Sequence, residues 1–371
     1  MNDHTQPLHT RVLATPPEAI PPDAIALAAD LLRAGEVVAF PTETVYGLGA
    51  DATNAAAIQR IFAAKERPLS DPLIVHLADV AHLSAVVSAI PPAVAQLAER
   101  FWPGPLTLVL PRNARIPALV AAGGATVGVR VPAHPVALAL LRAANLPVAA
   151  PSANRFMHTS PTTAAHVLAD LDGRIACVLD GGPTTVGVES TVVDLTTSPP
   201  RLLRPGGVTL EDLRAILPDI IVPESPESAE SANEPASAEP THAPGQMARH
   251  YAPHTRLIVF DASGATGDAA QGAMLAAMLA EAAAGHARGE RVGALAADEE
   301  AATLEDVGVL VARLGPLGDL AAISRRLYAA LRELDAAGLD VLLAHSFGRQ
   351  GLGLAIEDRL RRAAGGRLRA V

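Results

Sequence analysis

The sequence predicts an α/β protein with two domains joined by an acidic linker. Short apolar runs typical of buried strands alternate with helical patterns along residues 23–210 and again along 255–371. Between them, residues 223–243 are rich in Pro, Glu, Ser and Ala and contain no large apolar residue, a composition typical of a disordered linker. The length of 371 residues also fits two domains, since one domain usually has about 100–200 residues.

In the first domain, apolar residues at helical spacing predict a helix that begins at Asp23 and ends before Gly35, a residue type common just after helices. The same pattern predicts further helices over 54–65, 91–102 and 163–170. Continuous apolar runs predict buried strands over 36–40, 73–77, 106–110, 127–131, 147–150, 175–179 and 190–195. Residues 1–22 are polar and Pro-rich, so we expect a flexible arm there.

The linker, 211–254, overlaps a short helix predicted near 209–217. Beyond it, the same criteria predict a smaller α/β domain with a parallel sheet. Its strands are expected over 256–260, 291–297, 307–313 and 339–345, and its helices over 267–287, 319–337 and 353–364.

Composition excludes several classes of protein. The net charge is −10, so the chain lacks the broad basic surface expected of a protein whose main task is to bind nucleic acid. The single cysteine, Cys177, excludes a disulfide framework and any zinc site built on several cysteines. The amino terminus has no apolar core typical of a signal peptide, and no uncharged apolar stretch reaches the ~18–20 residues of a membrane helix. A soluble cytoplasmic protein is therefore expected.

Lysine is almost absent. Lys65 is the single lysine among 29 basic residues, and all the others are arginine. A compact ammonium and a planar guanidinium are not interchangeable, so the one retained lysine indicates a position where arginine cannot substitute. Chance is an equally good explanation at this stage.

Polar residues cluster where predicted strands end, which is the usual place for a site in an open α/β sheet. Four cations lie near hydroxyls and amides with few acids, a pattern that fits a pocket for a polyanion. Each residue also fits an ordinary role as a turn residue, helix cap, core histidine or surface ion pair. The clusters are Thr42-Glu43-Thr44, Lys65 with Arg67 and Asp71, His76, Arg130, Ser152 with Asn154, Ser160 with Thr162, Glu189-Ser190-Thr191 and Arg204.

The same segments closely resemble the motifs of the YrdC-like family, in family order across about residues 24–210. They are Gly35-Glu-Val-Val-Ala-Phe-Pro-Thr-Glu-Thr-Val-Tyr-Gly-Leu-Gly-Ala50, Lys65-Glu-Arg-Pro-Leu-Ser-Asp-Pro-Leu-Ile-Val-His76, Pro151-Ser-Ala-Asn154 and Gly187-Val-Glu-Ser-Thr-Val-Val-Asp194. Two later segments, His250-Tyr-Ala-Pro253 and Gly351-Leu-Gly-Leu-Ala-Ile-Glu-Asp-Arg-Leu360, resemble the extra domain of the long, two-domain threonylcarbamoyl-AMP synthases. The resemblance implies a YrdC-like twisted open-sheet catalytic domain followed by a smaller Rossmann-like α/β domain.

One segment departs from the family pattern. The family usually has a glycine two or three residues after the asparagine that corresponds to Asn154. This chain instead reads Arg155-Phe-Met-His-Thr-Ser160. We therefore expect the path of this loop to be the place where the chain differs from its family.

The resemblance implies an L-threonylcarbamoyladenylate synthase, a nucleotidyltransferase that makes threonylcarbamoyl-AMP and pyrophosphate from L-threonine, bicarbonate or CO2, and ATP. It assigns Lys65 and Arg67 to catalysis and gives His250 a linker contact. Carried over residue by residue, the ATP contacts are Lys65, Arg67, Asp71, Thr126, Ser152, Asn154, Ser160, Arg204 and Tyr251. The threonine contacts are Thr44, His76, Arg130, Ala150 and Ser190.

The resemblance also implies Mg2+, held mainly through the ATP phosphates because the motifs contain few carboxylates. The product would pass to the tRNA threonylcarbamoyl transferase complex for N6-threonylcarbamoyladenosine formation at position 37, with no stable nucleic-acid or membrane binding by this chain. The alternative is a non-enzymatic RNA-binding or ribosome-assembly protein, which the acidic charge disfavours. A carbamoyltransferase of hydrogenase maturation would need cysteine-paired zinc motifs, and one cysteine excludes it.

Overall fold

A computed structural model describes residues 9–222, 251–262 and 267–371, which divide into two compact units. Among these residues, unit 1 comprises 9–156, 160–185 and 189–222. Unit 2 comprises 251–262 and 267–371 together with two short segments, 157–159 and 186–188. The predicted disordered stretch, 223–243, and His250 lie outside the described residues.

Unit 1 contains a ten-stranded mixed sheet and flanking helices. Its strands are β1 (Arg11–Ala14), β2 (Val38–Phe40), β3 (Gly47–Asp51), β4 (Ile74–His76), β5 (Leu106–Pro111), β6 (Thr126–Arg130), β7 (Val148–Ala149), β8 (Cys177–Asp180), β9 (Thr191–Asp194) and β10 (Arg201–Arg204). Its helices are α1 (Pro22–Arg33), α2 (Ala55–Lys65), α3 (Ala93–Phe101), α4 (Pro135–Ala144), α5 (Ala164–Leu171) and α6 (Leu210–Arg214).

Local sequence explains why the helices form where they do. Helix α1 buries Ile25, Ala28, Ala29 and Leu32, the apolar positions that predicted it. Helix α2 begins after Asn54, whose side chain accepts hydrogen bonds from two backbone N–H groups of the first turn. No helix of the described residues combines the length and apolar character needed to cross a membrane.

The prediction of a flexible arm over residues 1–22 is wrong at Arg11–Ala14. This segment forms β1, which pairs in parallel with β8, with Arg11 opposite Cys177 and Ala14 opposite Asp180. A four-residue strand whose partner is more than 160 residues away leaves no local periodic signal, so the sequence did not reveal it.

Strand β3 was also missed, because the Gly-Leu-Gly sequence indicates a turn rather than a strand. Gly49 is nevertheless required there: a Cβ at this position would lie 2.7 Å from Phe40 Cε1 and 2.8 Å from Val148 Cγ1. The glycine allows β3 to pass these two side chains closely. Helix α4 was not predicted either.

The strand order of unit 1 is β1-β8-β2-β3-β7-β4-β6-β5-β9-β10. Strands β4 and β6 are parallel and in register, so His76 pairs with Arg130 at their carboxyl ends. Strand β5 runs antiparallel to β6 and parallel to β9, which brings Leu106 opposite Thr191. One edge of the sheet therefore joins the carboxyl ends of β4 and β6 to the amino ends of β5 and β9.

Unit 2 is a five-stranded, fully parallel sheet with the order β13-β12-β14-β11-β15. The predicted alternation is confirmed, with α8 and β15 as additions. Its elements are β11 (Arg256–Asp261), α7 (Asp268–Ala287), β12 (Val292–Ala296), α8 (Asp298–Glu305), β13 (Leu310–Arg313), α9 (Leu320–Ala336), β14 (Val341–His345), α10 (Gly353–Ala364) and β15 (Leu368–Ala370).

Candidate active site

Arg130, at the end of β6, is the centre of the first half of the site. It is 4% exposed, and its Nε donates to Gly104 O at 3.1 Å while Nη1 donates to Thr44 Oγ1 at 2.9 Å. Nη2 lies 2.7 Å from Glu43 Oε1 in a buried ion pair. The two hydrogen bonds and the ion pair occupy three of the five guanidinium donors, so one donor on each terminal nitrogen is left to bind a carboxylate.

His76 lies beside Arg130 in the sheet and is equally buried. Burial, followed by the nearby Arg130 charge, lowers the pKa of His76 to about 3. The imidazole is therefore neutral at physiological pH, and its ring lies edge-on to Phe40. A neutral ring can exchange one hydrogen bond with a polar substrate without adding charge to a site that already holds a cation.

Ser190 and Arg204 come from the neighbouring part of the same edge. Ser190 Oγ lies 2.8 Å from Thr107 Oγ1, and Arg204 Nη2 donates to Ser190 O at 3.0 Å. Gly206 allows the chain after Arg204 to pass close to Glu189, because a Cβ at Gly206 would lie 2.3 Å from Glu189 O. The Arg204 guanidinium is thereby fixed at the start of β9.

Lys65, the last residue of α2, is 1% exposed. Its Nζ donates to Ser152 O at 2.6 Å and to Asn154 O at 2.5 Å, so the structure joins the predicted lysine to the predicted Ser-Ala-Asn loop. Burial, with Arg67 as the next cause, lowers the pKa of Lys65 well below its ordinary value. An incoming polyanion would reverse that shift, because its charge favours the ammonium form.

Arg67 and Asp71 form a buried pair next to Lys65. Arg67 Nη2 lies 2.9 Å from Asp71 Oδ2 and also donates to Pro72 O at 2.8 Å. Burial raises the pKa of Asp71, while the charges of Arg67, Lys65 and Arg204 oppose that shift. The charges of three buried basic residues thus act on one carboxylate, and buried cations of this kind suit an anion such as phosphate.

The remaining predicted residues of unit 1 occupy several positions. Ser160 Oγ donates to Glu189 Oε1 at 2.6 Å, and Ala150 N donates to Ile74 O at 2.9 Å beside His76. Ser152 forms a bridge with Gly47. Thr126 begins β6, so it lies at the opposite end of that strand from Arg130.

Tyr251 belongs to unit 2, where its ring is 1% exposed. It packs against Tyr328, with ring centroids 5.7 Å apart, and the Arg359 guanidinium lies 5.2 Å from its ring centre. Tyr251 also has a positive φ of 60°, a backbone region that residues other than glycine rarely adopt.

The structure decides between the open interpretations of the cations. Lys65, Arg67, Arg130 and Arg204 are all buried, so the interpretation of Arg130 and Arg204 as surface ion pairs is wrong. Sequence reasoning named Glu43 and Glu189 within clusters but gave them no role, and it missed Thr107. The sequence feature that could have identified the two glutamates is their position next to assigned residues, since Glu43 precedes Thr44 and Glu189 precedes Ser190.

Each acid of the site faces a basic or hydroxyl group of the protein, although neither carboxylate oxygen of Glu43 accepts a hydrogen bond from the described residues. Glu43 pairs with Arg130, Asp71 pairs with Arg67, and Glu189 accepts from Ser160. In the described part of the chain, no group of three or more His, Cys, Asp or Glu residues could hold a metal ion. This donor set fits a cation that arrives with its own oxygen ligands better than a resident metal.

Fold and site together define a two-unit α/β protein with a set of buried basic side chains in its first unit. Residues 30–206 match a family model described as "Telomere recombination", and residues 208–365 match one described as "Threonylcarbamoyl-AMP synthase, C-terminal domain". The threonylcarbamoyl-AMP synthases of Bacillus subtilis and Pyrococcus abyssi are 44% and 42% identical to this chain. Each match covers 92% of this chain, with 93% of the Bacillus protein and 94% of the Pyrococcus protein.

A solved structure agrees with these matches. The crystal structure of P. abyssi Sua5 complexed with L-threonine superposes with a TM-score of 0.86 at 40% identity. The match covers 98% of this chain and 100% of the P. abyssi chain. The chain therefore belongs to the threonylcarbamoyl-AMP synthase family, in the form with a second, carboxy-terminal domain.

Proposed function

We propose that this protein is an L-threonylcarbamoyladenylate synthase that supplies threonylcarbamoyl-AMP for modification of tRNA adenosine 37. Its substrates would be L-threonine, bicarbonate or CO2, and ATP. The observation that carries the proposal is the pairing of a buried arginine clamp at Arg130 with a separate buried cluster of Lys65, Arg67 and Arg204. One group suits a carboxylate, and the other suits a polyphosphate.

Threonine would bind through its carboxylate at the guanidinium of Arg130. Thr44 and Glu43 hold that guanidinium in place, so the clamp is formed before the substrate arrives. His76 and Ser190 lie on the same sheet edge and would exchange hydrogen bonds with the threonine hydroxyl or amine.

The chemistry requires no nucleophile from the protein. The free threonine amine adds to CO2 and loses a proton, which gives a carbamate anion. A carbamate oxygen then forms a bond to the α-phosphorus of ATP as the bond to the pyrophosphate oxygen breaks. This transfer of an adenylyl group makes the enzyme a nucleotidyltransferase.

Lys65, Arg67 and Arg204 would stabilise the charge that grows on the departing pyrophosphate. Positioned cations in a buried site need no reorganisation as the reaction proceeds, and this is the usual basis of phosphoryl-group catalysis. The predicted magnesium ion would be held by phosphate oxygens, since the nearby carboxylates are engaged with Arg67 and Ser160. When bound, it would neutralise further phosphate charge.

The proposal is tested by mass spectrometry of the product formed from ATP, threonine and bicarbonate. Arg204→Ala should abolish most of the product because it removes a buried pocket cation. Arg201→Ala is the matched control: it removes an exposed arginine from the same strand and should leave product formation intact. Pyrophosphate release that does not depend on threonine would contradict the proposal, and the absence of any pyrophosphate release would favour the non-enzymatic RNA-binding alternative.

Substrate selection gives a second test. Valine has the shape of threonine but lacks the hydroxyl, so it would leave polar groups of the site without partners. Valine should therefore be a poor substrate, whereas serine should retain part of the activity. Equal rates with valine and threonine would exclude hydroxyl recognition by this site.

A further inference from the structure

Unit 2 contains a cavity of its own. Its volume is about 340 Å3, and it opens at the carboxyl edge of the parallel sheet, between the start of α7 and the loop that follows β14. All of its described lining residues belong to unit 2. Ligand pockets usually measure ~300–1,000 Å3, so this one is large enough for a small organic ligand.

The cavity lies where the direction of the chain connections reverses. Strands β11 and β14 are neighbours in the order β13-β12-β14-β11-β15. The connection after β11 leads to β12 on one side of this pair, and the connection after β14 leads to β15 on the other. In open α/β sheets the crevice at such a switch point is the place where ligands bind.

One wall of the cavity is polar and cationic. Ser346 is 6% exposed, and its Oγ accepts from Gly348 N at 3.3 Å and donates to Glu357 Oε2 at 3.5 Å, a long bond that a phosphate oxygen would replace. Arg349 Nε lies 3.3 Å from Glu357 Oε1, and its side chain is 60% exposed, so its terminal nitrogens can reach an anion in the cavity. The wall thus combines a fixed hydroxyl with a guanidinium.

A buried network holds this wall in place. His345 is fully buried, with Nε2 2.9 Å from Glu300 Oε2 and Nδ1 2.8 Å from Ser346 O. Buried polar groups of this kind cost free energy unless they are fully paired, and the paired network rigidifies the backbone it contacts. Here it fixes Ser346, the residue that begins the polar wall.

The cavity also has apolar lining residues. Met274 on α7 and Leu320 at the start of α9 line the cavity together with Leu317 and Phe347. Two glutamines, Gln271 and Gln350, add amide groups that can both donate and accept. The cavity therefore suits a ligand with an anionic end, a flat apolar body and hydrogen-bonding edges.

We propose that the cavity of unit 2 is a second ligand site, which binds a mononucleotide. Its phosphate would contact Arg349 and Ser346, and its base would lie against Met274 and Leu320. The site is separate from the pocket of Lys65, and the inference stands whether or not that pocket makes threonylcarbamoyl-AMP.

Hydrogen–deuterium exchange of the full chain, measured by mass spectrometry with AMP as the probe, tests the proposal locally. AMP should slow amide exchange in residues 267–274 and 346–353 of the wild-type protein. Arg349→Ala should lose this protection. Arg313→Ala, which removes another exposed, ion-paired arginine of unit 2, should keep it. Lys65→Ala, which alters the pocket of unit 1, should also keep it.

Two fragments of the probe complete the experiment. Inorganic phosphate alone and adenosine alone should each protect these segments less than AMP at the same concentration, since each contacts one wall. The proposal is overturned if millimolar AMP protects neither segment, if Arg349→Ala is protected as fully as wild type, or if phosphate alone equals AMP.

Discussion

The two units bury positive charge in different ways. In unit 2, Arg359 is fully buried, yet its guanidinium lies over the Tyr251 ring and pairs with Asp358. In unit 1, Arg67 and Arg130 also pair with carboxylates. Lys65 instead donates hydrogen bonds to two carbonyl oxygens, and Arg204 contacts the carbonyl and hydroxyl of Ser190. A carbonyl carries a partial charge, so a buried cation that faces carbonyls gains more from an incoming anion than one that already faces a carboxylate.

This difference predicts that Lys65 has the largest effect on turnover. Lys65→Ala should lower kcat by about 10²–10³-fold, the usual cost of one preorganised stabilising group, with a smaller change in ATP affinity. Lys65→Arg should be nearly as impaired, because the planar guanidinium does not reproduce a compact ammonium between two carbonyls. Steady-state kinetics and circular dichroism would check both variants, and near-normal turnover of Lys65→Arg would refute the requirement for lysine.

Glu43 should come next, as a positioning residue for Arg130. Glu43→Gln keeps the shape but removes the buried ion pair that orients Arg130. We expect the lost orientation to outweigh the reduced repulsion of the threonine carboxylate, so Arg130 should hold threonine less well. Loss of an interaction with a charged group costs about 1.5–3 kcal/mol, which is a roughly 10- to 100-fold rise in KM for threonine.

The KM for ATP serves as the internal control for Glu43→Gln, since the phosphate cluster does not include this residue. A purely structural role would change both KM values together or lower the folded fraction. An unchanged KM for threonine would show that Arg130 keeps its orientation without Glu43.

The third effect is on stability and depends on pH. The pKa of His76 is lowered from 6.5 to about 3, first by burial and then by Arg130. Above pH 6.5 both folded and unfolded states are neutral at this residue. Between pH 6.5 and 3 the unfolded state alone binds a proton, so unit 1 loses stability as the pH falls, by up to about 1.4 kcal/mol per pH unit.

We expect about 2 kcal/mol to be lost between pH 6.5 and 5 through His76. Trp102, the single tryptophan, lies in unit 1, so urea unfolding followed by its fluorescence reports that unit. His76→Gln should show a smaller loss over this range, whereas His82→Gln, at an exposed position, should match wild type. Identical pH dependence in all three proteins would contradict the shift at His76.

The smallest effect concerns the loop that departs from the family pattern. Met157 has φ of 68°, and it stands three residues after Asn154, where the family usually has glycine. Met157→Gly should remove the left-handed backbone strain, which costs the folded protein about 1–2 kcal/mol. Glycine also gives the unfolded chain more conformational entropy, which lowers the free energy of unfolding by about 0.5–1 kcal/mol. The net result should be a stabilisation below about 1 kcal/mol, measured by calorimetry, that Met157→Ala does not reproduce.

Local patterns predicted elements whose signals are contained in a few neighbouring residues. Helix α1 and the parallel strands of unit 2 belong to this class, since their apolar spacing is visible within one segment. Strand β1 does not, because its strand partner within the described residues is β8, more than 160 residues away. The polar clusters were visible too, yet hydroxyls and arginines at strand ends fit caps and surface pairs equally well until their burial is known.

The sequence by itself determined the α/β class, the two-domain division it predicts, and the motifs that place this chain in its family, because these features depend on composition and short-range order. Only the tertiary structure decided that Lys65 reaches Ser152 O, that Glu43 pairs with Arg130, and that Arg204 is fixed on Ser190. Those contacts join residues far apart in the chain, and their energies depend on burial. Neither the contacts nor the burial exists until the sheet has assembled.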